Sequence, residues 1–297
     1  MPIHSYILKY FEEHPNERTN GVQQENPPNE RRPSIHQIED QTIQFDQFEL
    51  PIRIYTPDLQ EHYSLLVFFH EGRFMNGNLE ASDVACRMIS SFTGYKLIAI
   101  DYLSALEHIA ETFNTCYEVT KWITQHAEQF NGTISDISIC GGSIGGAIAT
   151  SITINALKKQ DFTLQKQILF YPIVDFSDKI EDSDFLSRKM YNGKYGIDLN
   201  HLTELFHSTL HSPLSTNETI LVKLPDTLIY TAEYDPFSDE GEAYAEKIQK
   251  AGGQVKLVRF DGNIHGFMQS FPGSPDYMRG FEVTSEFLVK EEKEVHM

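Results

Sequence analysis

The chain has 297 residues, 40% of them hydrophobic, which is enough for one large core rather than a small disulfide-stapled domain. The formal net charge of −19 excludes the basic footprint of a nucleic-acid-binding protein and disfavours contact with anionic lipid. No apolar run has transmembrane length, and residues 1–11 lack the basic and continuous apolar parts of a secretory signal. We therefore expect a globular protein without a nucleic-acid partner and without membrane insertion.

The first 130 residues predict an N-terminal segment followed by alternating strands and helices. Residues 3–11 predict a short amphipathic helix, and the polar, proline-containing stretch 13–33 predicts a mobile loop. The alternation at 42–55 is typical of an opening hairpin. Next come a strand, a helix, a strand and a long helix, over residues 65–69, 83–92, 96–102 and 109–130.

The chain has three cysteines, and each lies inside an apolar segment: Cys86, Cys116 and Cys140. They are odd in number and lack metal-ligand spacing, so we predict buried free thiols, which fits a reducing cytoplasm. Nothing in the sequence resembles a dinucleotide fingerprint or a zinc site. We therefore expect neither a cofactor nor a metal.

A candidate nucleophile lies where a strand at 137–140 meets a helix that runs to about residue 158. Residues 141–146 read G-G-S-I-G-G, and a G-x-S-x-G sequence between a strand and a helix is typical of a nucleophile elbow. Glycines let the chain pass through the sharp turn that exposes the hydroxyl of Ser143. The turn also puts the N–H of Ile144 at a helix N-terminus, where it can stabilise an oxyanion.

The C-terminal half continues the alternation after one interruption. A strand at 166–171 is followed by a mixed stretch, about 177–214, which carries a helical pattern at 201–207. The alternation resumes with a strand from 227, a helix at 241–251, a strand at 255–260 and a helix at 277–290. This order predicts a mostly parallel, doubly wound sheet with helices on both faces. We interpret 177–214 as an insertion that forms a small helical cap together with residues 1–41, over a catalytic domain at 42–297.

Two partners for Ser143 follow apolar strands in this half. Asp235 comes after the strand that starts at 227, and His265 comes after the strand at 255–260. Open α/β sheets place their sites at the carboxyl ends of strands, and the chain order Ser, Asp, His is that of α/β hydrolases. Alternatively, Asp235 caps a helix, because Asp-Pro resembles a helix start, and His265 is one of 12 histidines.

Further motifs point to one family. Residues 70–73 read H-E-G-R after a core strand, residues 101–108 read D-Y-L-S-A-L-E-H, and residues 232–244 read A-E-Y-D-P-F-S-D-E-G-E-A-Y. From about residue 42 onward the chain resembles the hormone-sensitive-lipase-like (bacterial H-type) esterases of the α/β-hydrolase fold. Their corresponding motifs are H-G-G-G, D-Y-R-L-A-P-E-H and, at the elbow, G-D-S-A-G-G. The resemblance implies an α/β-hydrolase fold with a cap formed by the N-terminal segment and the insertion.

The loop after residue 69 departs from the family in two places. Glu71 and Arg73 stand where the family has glycine, and Gly142 stands where its elbow has aspartate. Backbone N–H groups survive any side chain except proline, so the resemblance still implies an oxyanion hole made by Gly72, Arg73 and Ile144.

The resemblance and the residues together predict a serine carboxylesterase that works through an acyl-enzyme, and the resemblance alone implies a preference for short-chain acyl esters. Ser143 is the expected nucleophile, His265 the base and then the acid, and Asp235 the residue that orients the imidazole. The same three residues would serve an amidase or an acyltransferase. The altered Glu71 and Arg73 leave a third alternative, a non-catalytic small-molecule receptor. The expected partner is a small ester, and a homodimer stays open.

Overall fold

Eight strands form one sheet in the residues that the structure describes, which are 1–20, 22, 26–46, 48–72, 79–102, 109–177, 184–202, 205 and 209–289 of this computed structural model. The strands are β1 (Gln37–Gln44), β2 (Glu49–Thr56), β3 (Tyr63–Phe69), β4 (Lys96–Ile100), β5 (Gly132–Gly142), β6 (Lys166–Phe170), β7 (Asp226–Tyr234) and β8 (Val255–Ile264). Their spatial order is β1-β2-β4-β3-β5-β6-β7-β8. β2 runs antiparallel to both of its neighbours, β1 and β4, and every other neighbouring pair in this sheet is parallel, which confirms the mostly parallel sheet.

The helices fall largely between the strands, as the alternation predicts. They are α1 (Ser5–Glu13), α2 (Glu17–Asn20), α3 (Asp83–Thr93), α4 (Ile109–Gln125), α5 (Ile144–Lys159), α6 (Leu186–Tyr191), α7 (Glu218–Leu221), α8 (Ser238–Lys250), α9 (Phe267–Ser270) and α10 (Tyr277–Leu288). Short 3₁₀ turns lie at Asn29–Arg31, Ala127–Phe130, Leu199–Leu202 and Pro213–Ser215.

The central strands are apolar on both faces because helices cover both sides of the sheet. On β3, Leu65 and Val67 belong to one core, which also contains the buried residues of α4, α5 and α8. Leu66 and Phe68 belong to the other core, which α1, α3 and α10 cover. Continuous apolar runs such as 65–69 are what two-sided burial of a parallel strand requires. The predicted α/β-hydrolase arrangement, with helices on both faces, is confirmed.

The first hairpin is confirmed, but its outer strand is longer than predicted. β1 begins at Gln37, so the sheet starts before the domain boundary predicted at residue 42. Ile38 is the one apolar residue among the first six of β1, and most of the others are exposed at the edge of the sheet, so hydrophobic alternation does not mark the start of this strand. The long helix predicted to reach residue 130 ends at Gln125 and continues as the 3₁₀ turn Ala127–Phe130.

The predicted insertion is only partly within the described residues. It contains α6 and the 3₁₀ turn Leu199–Leu202, and most of the helical pattern at 201–207 lies outside the described residues. Cys86, Cys116 and Cys140 are buried free thiols, as predicted. Within the described ranges, no helix is both long enough and apolar enough to span a bilayer.

Candidate active site

Three of the predicted site residues meet at the carboxyl edge of the sheet. Ser143 directly follows β5, Asp235 directly follows β7, and His265 directly follows β8. β7 and β8 are parallel neighbours, and the last paired residues, Tyr234 and Ile264, immediately precede Asp235 and His265. The register of two strands therefore brings an acid and a base from distant parts of the chain side by side.

The turn at Ser143 has the strained backbone that a nucleophile elbow requires. Its φ is 55° and its ψ −119°, a region that a residue with a Cβ rarely adopts. The Ser143 N–H donates to the carbonyl of Phe170 at 2.9 Å, which fixes the turn to the end of β6. A Cβ on Gly145 would lie 2.1 Å from the carbonyl oxygen of Phe69. Only glycine at this position lets the first turn of α5 approach the end of β3.

The side chains of the three residues form one hydrogen-bonded chain. His265 Nε2 lies 2.8 Å from Ser143 Oγ, and His265 Nδ1 lies 2.8 Å from Asp235 Oδ2. With the hydrogen assigned to Nδ1, the imidazole donates to Asp235 and accepts the hydroxyl hydrogen of Ser143. This arrangement can take a proton from a serine that attacks a carbonyl group.

Asp235 also contacts the beginning of the following helix. Its Oδ1 accepts the N–H of Phe237 at 2.8 Å, one residue before α8. Asp235 is therefore the partner of His265 and also holds the turn before α8, whereas the N-cap of α8 is Phe237 and receives no side-chain cap hydrogen bond. The backbone contact fixes the carboxylate plane that the imidazole meets.

The surroundings of His265 favour its charged form. Burial opposes the charged imidazole, but the charge and the hydrogen bond of Asp235 outweigh it, and Glu71 and Glu240 add to their effect. The pKa of His265 is therefore raised above its ordinary value of 6.5. The rings of Tyr171 and Phe237 pack against the imidazole, with centroids 4.9 and 5.3 Å from its own. A buried, oriented base with a raised pKa suits the formation of an imidazolium.

The structure describes two of the three predicted oxyanion residues, Gly72 and Ile144. Gly72 lies against Ile144, since a Cβ on Gly72 would be 2.7 Å from Ile144 Cγ2. This contact puts the backbone of the loop after β3 beside the N-terminus of α5. Arg73 lies outside the described residues, as does the stretch 103–108 of the D-Y-L-S-A-L-E-H motif.

Two further residues, Glu71 and Tyr171, lie beside the three side chains of the hydrogen-bonded chain, and the sequence does not predict a role for either. The hydroxyl of Tyr171 donates to Glu71 Oε1 at 2.5 Å, and the side chain of Glu71 lies against Gly142 of the elbow. In the sequence, Glu71 stands out only as a replacement for glycine, and Tyr171 only as the end of a strand. A signal did exist for Tyr171, because it follows β6 directly and so lies at the same edge of the sheet as Ser143.

Comparisons with known proteins agree on one family. Residues 66–269 match the model of a family described as alpha/beta hydrolase fold. The chain is 28% identical to an arylesterase of Saccharolobus solfataricus, over 86% of this chain and 84% of that protein. It is 30% identical to the carboxylic ester hydrolase LipN of Mycobacterium tuberculosis, over 80% of this chain and 66% of LipN.

A solved structure extends the similarity to three dimensions. The chain superposes on an esterase of Pyrobaculum calidifontis with a TM-score of 0.78 and 28% sequence identity. The superposition covers 86% of each chain.

Proposed function

This chain belongs to the alpha/beta hydrolase family and is a carboxylic ester hydrolase, and we propose that it cleaves short-chain acyl esters with Ser143 as the nucleophile. The observation that carries the assignment is the hydrogen-bonded chain from Ser143 Oγ through His265 to Asp235, with both distances at 2.8 Å. Unbroken geometry of this kind favours catalysis over a receptor that has lost its chemistry. The family resemblance noted in the sequence is confirmed by the match over residues 66–269.

The proposed reaction has two half-reactions. Ser143 Oγ attacks the ester carbonyl carbon while His265 Nε2 takes its proton, and Asp235 stabilises the imidazolium. The tetrahedral intermediate collapses, the bond to the alcohol oxygen breaks, and His265 protonates the departing alcohol. Water then attacks the acyl-enzyme with His265 as base, which releases the carboxylic acid and restores Ser143.

The negative oxygen of the intermediate is assigned to backbone N–H groups of Gly72, Arg73 and Ile144. The contact between Gly72 and Ile144 supports this, because it aligns the loop after β3 with the N-terminus of α5. One such donor contributes about 3 kcal/mol to the transition state, or roughly a hundredfold in rate. No cofactor or metal enters this scheme.

A cap made of the N-terminal segment before β1, residues 1–36, and the insertion at about 177–214 would limit the acyl chain. Contacts between the two segments support this part of the proposal. The ring of Phe11 lies 6.4 Å from that of Tyr195, and the N–H of Gly196 donates to the Arg18 carbonyl at 2.7 Å. A cap close to the elbow would favour small acyl groups, and the catalytic domain would begin with β1 at Gln37 rather than at residue 42.

The cellular location and the partners of the enzyme are proposed from its cysteines and its net charge. Three buried free thiols fit a cytoplasmic protein, and the net charge of −19 fits a partner that is a small ester rather than a polyanion. The proposal leaves open whether the enzyme acts as a monomer or a homodimer.

A chain-length series tests the substrate class. Hydrolysis of p-nitrophenyl acetate, butyrate, octanoate and dodecanoate by the full chain should give the highest kcat/KM on one of the two shortest esters. A maximum on dodecanoate would contradict the short-chain assignment. Analysis of products with an added alcohol distinguishes hydrolysis, in which the free acid dominates, from acyl transfer to the alcohol.

A further inference from the structure

The side chain of Glu71 lies between the two turns that carry Ser143 and His265. A Cβ on Gly142, the residue before Ser143, would lie 2.8 Å from both Cγ and Oε1 of Glu71. A Cβ on Gly266, the residue after His265, would lie 3.2 Å from Glu71 Oε2. The carboxylate therefore touches the backbone next to the nucleophile with one oxygen and the backbone next to the base with the other.

Tyr171 holds this carboxylate in place. Its hydroxyl donates to Glu71 Oε1, and its own N–H donates to the carbonyl of Tyr230 at 2.9 Å. The φ of Tyr171 is 37°, a left-handed backbone that a large side chain adopts only when its surroundings enforce it. Its buried ring packs against the ring of His265, so the same residue contacts both the carboxylate and the base.

Two departures from the family motifs complement each other in space. The motifs have glycine where this chain has Glu71, and aspartate where it has Gly142. A side chain at position 142 would occupy the volume that Glu71 fills, and a second carboxylate there would also repel the first. We call the space beside Gly142 the niche. It is occupied by the carboxylate of Glu71, which comes from the loop after β3 and not from the elbow.

The niche carboxylate also acts on the charge of His265. Burial opposes the charged imidazole, whereas Asp235, Glu71 and Glu240 raise its pKa. Glu240 is bound to Arg188 at 2.6 Å, and Asp235 forms the direct hydrogen bond to His265. Tyr171 remains a neutral donor, since burial and the charge of Glu71 hold its pKa well above its ordinary value.

We propose that Glu71 is a positioning residue for ester hydrolysis, held by Tyr171 in the niche at Gly142, where it aligns the turns of Ser143 and His265 and stabilises the imidazolium. The inference rests on the proposed function, because it gives Glu71 a part in the reaction of Ser143 with His265. It adds a carboxylate that the catalytic triad does not include.

The charge is tested with Glu71→Gln, which keeps the side-chain length and an oxygen that can accept from Tyr171. We expect kcat/KM on p-nitrophenyl butyrate to fall about tenfold, equivalent to about 1.4 kcal/mol. The acidic limb of its pH profile should move to lower pH, since a negative charge near His265 is lost. Glu246→Gln removes the same charge from an exposed site, 62% accessible, and should move neither quantity. An unmoved acidic limb in Glu71→Gln would overturn the electrostatic role.

The niche is tested by exchange of the two residues. Gly142→Asp alone should lose at least a hundredfold in kcat/KM, because its side chain meets that of Glu71. In the double variant with Glu71→Gly, activity should recover at least tenfold over Gly142→Asp alone, with thermal melts confirming that each variant is folded. Additive losses would mean that the two positions do not share one niche, and would overturn the alignment role.

These outcomes separate the inference from the proposed function. If Ser143→Ala is inactive while Glu71→Gln keeps the wild-type acidic limb and the exchange is additive, the function stands and the inference fails. If Ser143→Ala keeps its activity, the proposed function itself fails.

Discussion

The protonation state of His265 decides when the proposed enzyme is active. His265 must be neutral to accept the proton of Ser143. Burial opposes the charged imidazole, but the negative charges of Asp235, Glu71 and Glu240 outweigh it, so the pKa of His265 is raised above 6.5. The expected kcat/KM therefore rises with pH through a midpoint above 6.5, the ordinary value for histidine, and then levels. Initial rates between pH 5 and 9 measure this, and a flat profile would contradict the assignment of His265 as the base.

Asp235 is expected to act mainly through the tautomer of His265. Asp235→Asn keeps the shape and an oxygen for the Phe237 N–H, but its amide can present hydrogens to Nδ1 and so favour the wrong tautomer. We expect kcat to fall by about four orders of magnitude with little change in the melting temperature. Retention of a tenth of the wild-type kcat would show that Asp235 only holds the turn before α8. Asp239→Asn, in the first turn of α8, is the matched control.

At the scale of elements, a buried ion pair joins α6 of the insertion to α8. Arg188 and Glu240 are both fully buried and 2.6 Å apart, and Arg188 also donates to the carbonyls of Asp175 and Ser177. Glu240 in turn accepts the backbone N–H of Val174. These contacts tie the start of the insertion to the helix that follows Asp235.

Arg188→Met tests this connection. Removing one partner of a buried pair leaves the other charge uncompensated, so we expect a loss of about 3–5 kcal/mol in the free energy of unfolding at pH 8. Burial raises the pKa of Glu240, and without Arg188 the folded protein binds a proton there more readily than the unfolded chain does. The free energy of unfolding of Arg188→Met therefore falls as pH rises from 6 to 8. Its deficit relative to the wild type should be smaller at pH 6 than at pH 8.

Urea denaturation of Arg188→Met at both pH values measures this difference. Lys189→Met removes an exposed charge from the same helix and should change the free energy of unfolding by about 0.5 kcal/mol or less. Equal deficits at pH 6 and pH 8 would contradict the account of Glu240.

Hydrophobic pattern predicts the elements that carry the site, but not the contacts between distant loops. Strand ends at Ser143, Asp235 and His265 are visible in the sequence because each follows an apolar run, and the structure brings the three side chains together. The position of Glu71 could not be predicted in this way. Its partner Tyr171 is 100 residues away, and the niche exists only because β3 and β5 are neighbours in the sheet.

At the scale of the whole molecule, the two ends of the described chain close the second core together. α1 contributes the fully buried Ile7 and the buried Phe11, and α10 covers the same face of the sheet. The ring of Phe11 lies 6.3 Å from that of Phe271, just after α9. The N-terminal helix thus packs on the part of the fold that follows His265.

Ile7→Ala measures what this helix contributes to the fold. Ile7 is 0% exposed, so the loss of its side chain should lower the free energy of unfolding by about 2–5 kcal/mol. Leu8 on the same helix is 41% exposed, and Leu8→Ala should cost about 0.5 kcal/mol or less. Denaturant unfolding of both variants checks the difference, and equal losses would show that α1 does not pack through Ile7.

The most direct measurement is the rate of p-nitrophenyl butyrate hydrolysis by Ser143→Ala, set against the wild type and Ser151→Ala. Ser151 lies on α5 about two helical turns after Ser143, and its hydroxyl has no hydrogen-bond partner among the described residues, which makes it a matched control. We predict that Ser143→Ala loses at least about three orders of magnitude in kcat and keeps its fold, while Ser151→Ala retains the wild-type rate. A tenth of the wild-type activity remaining in Ser143→Ala would contradict the assignment of Ser143 as the nucleophile.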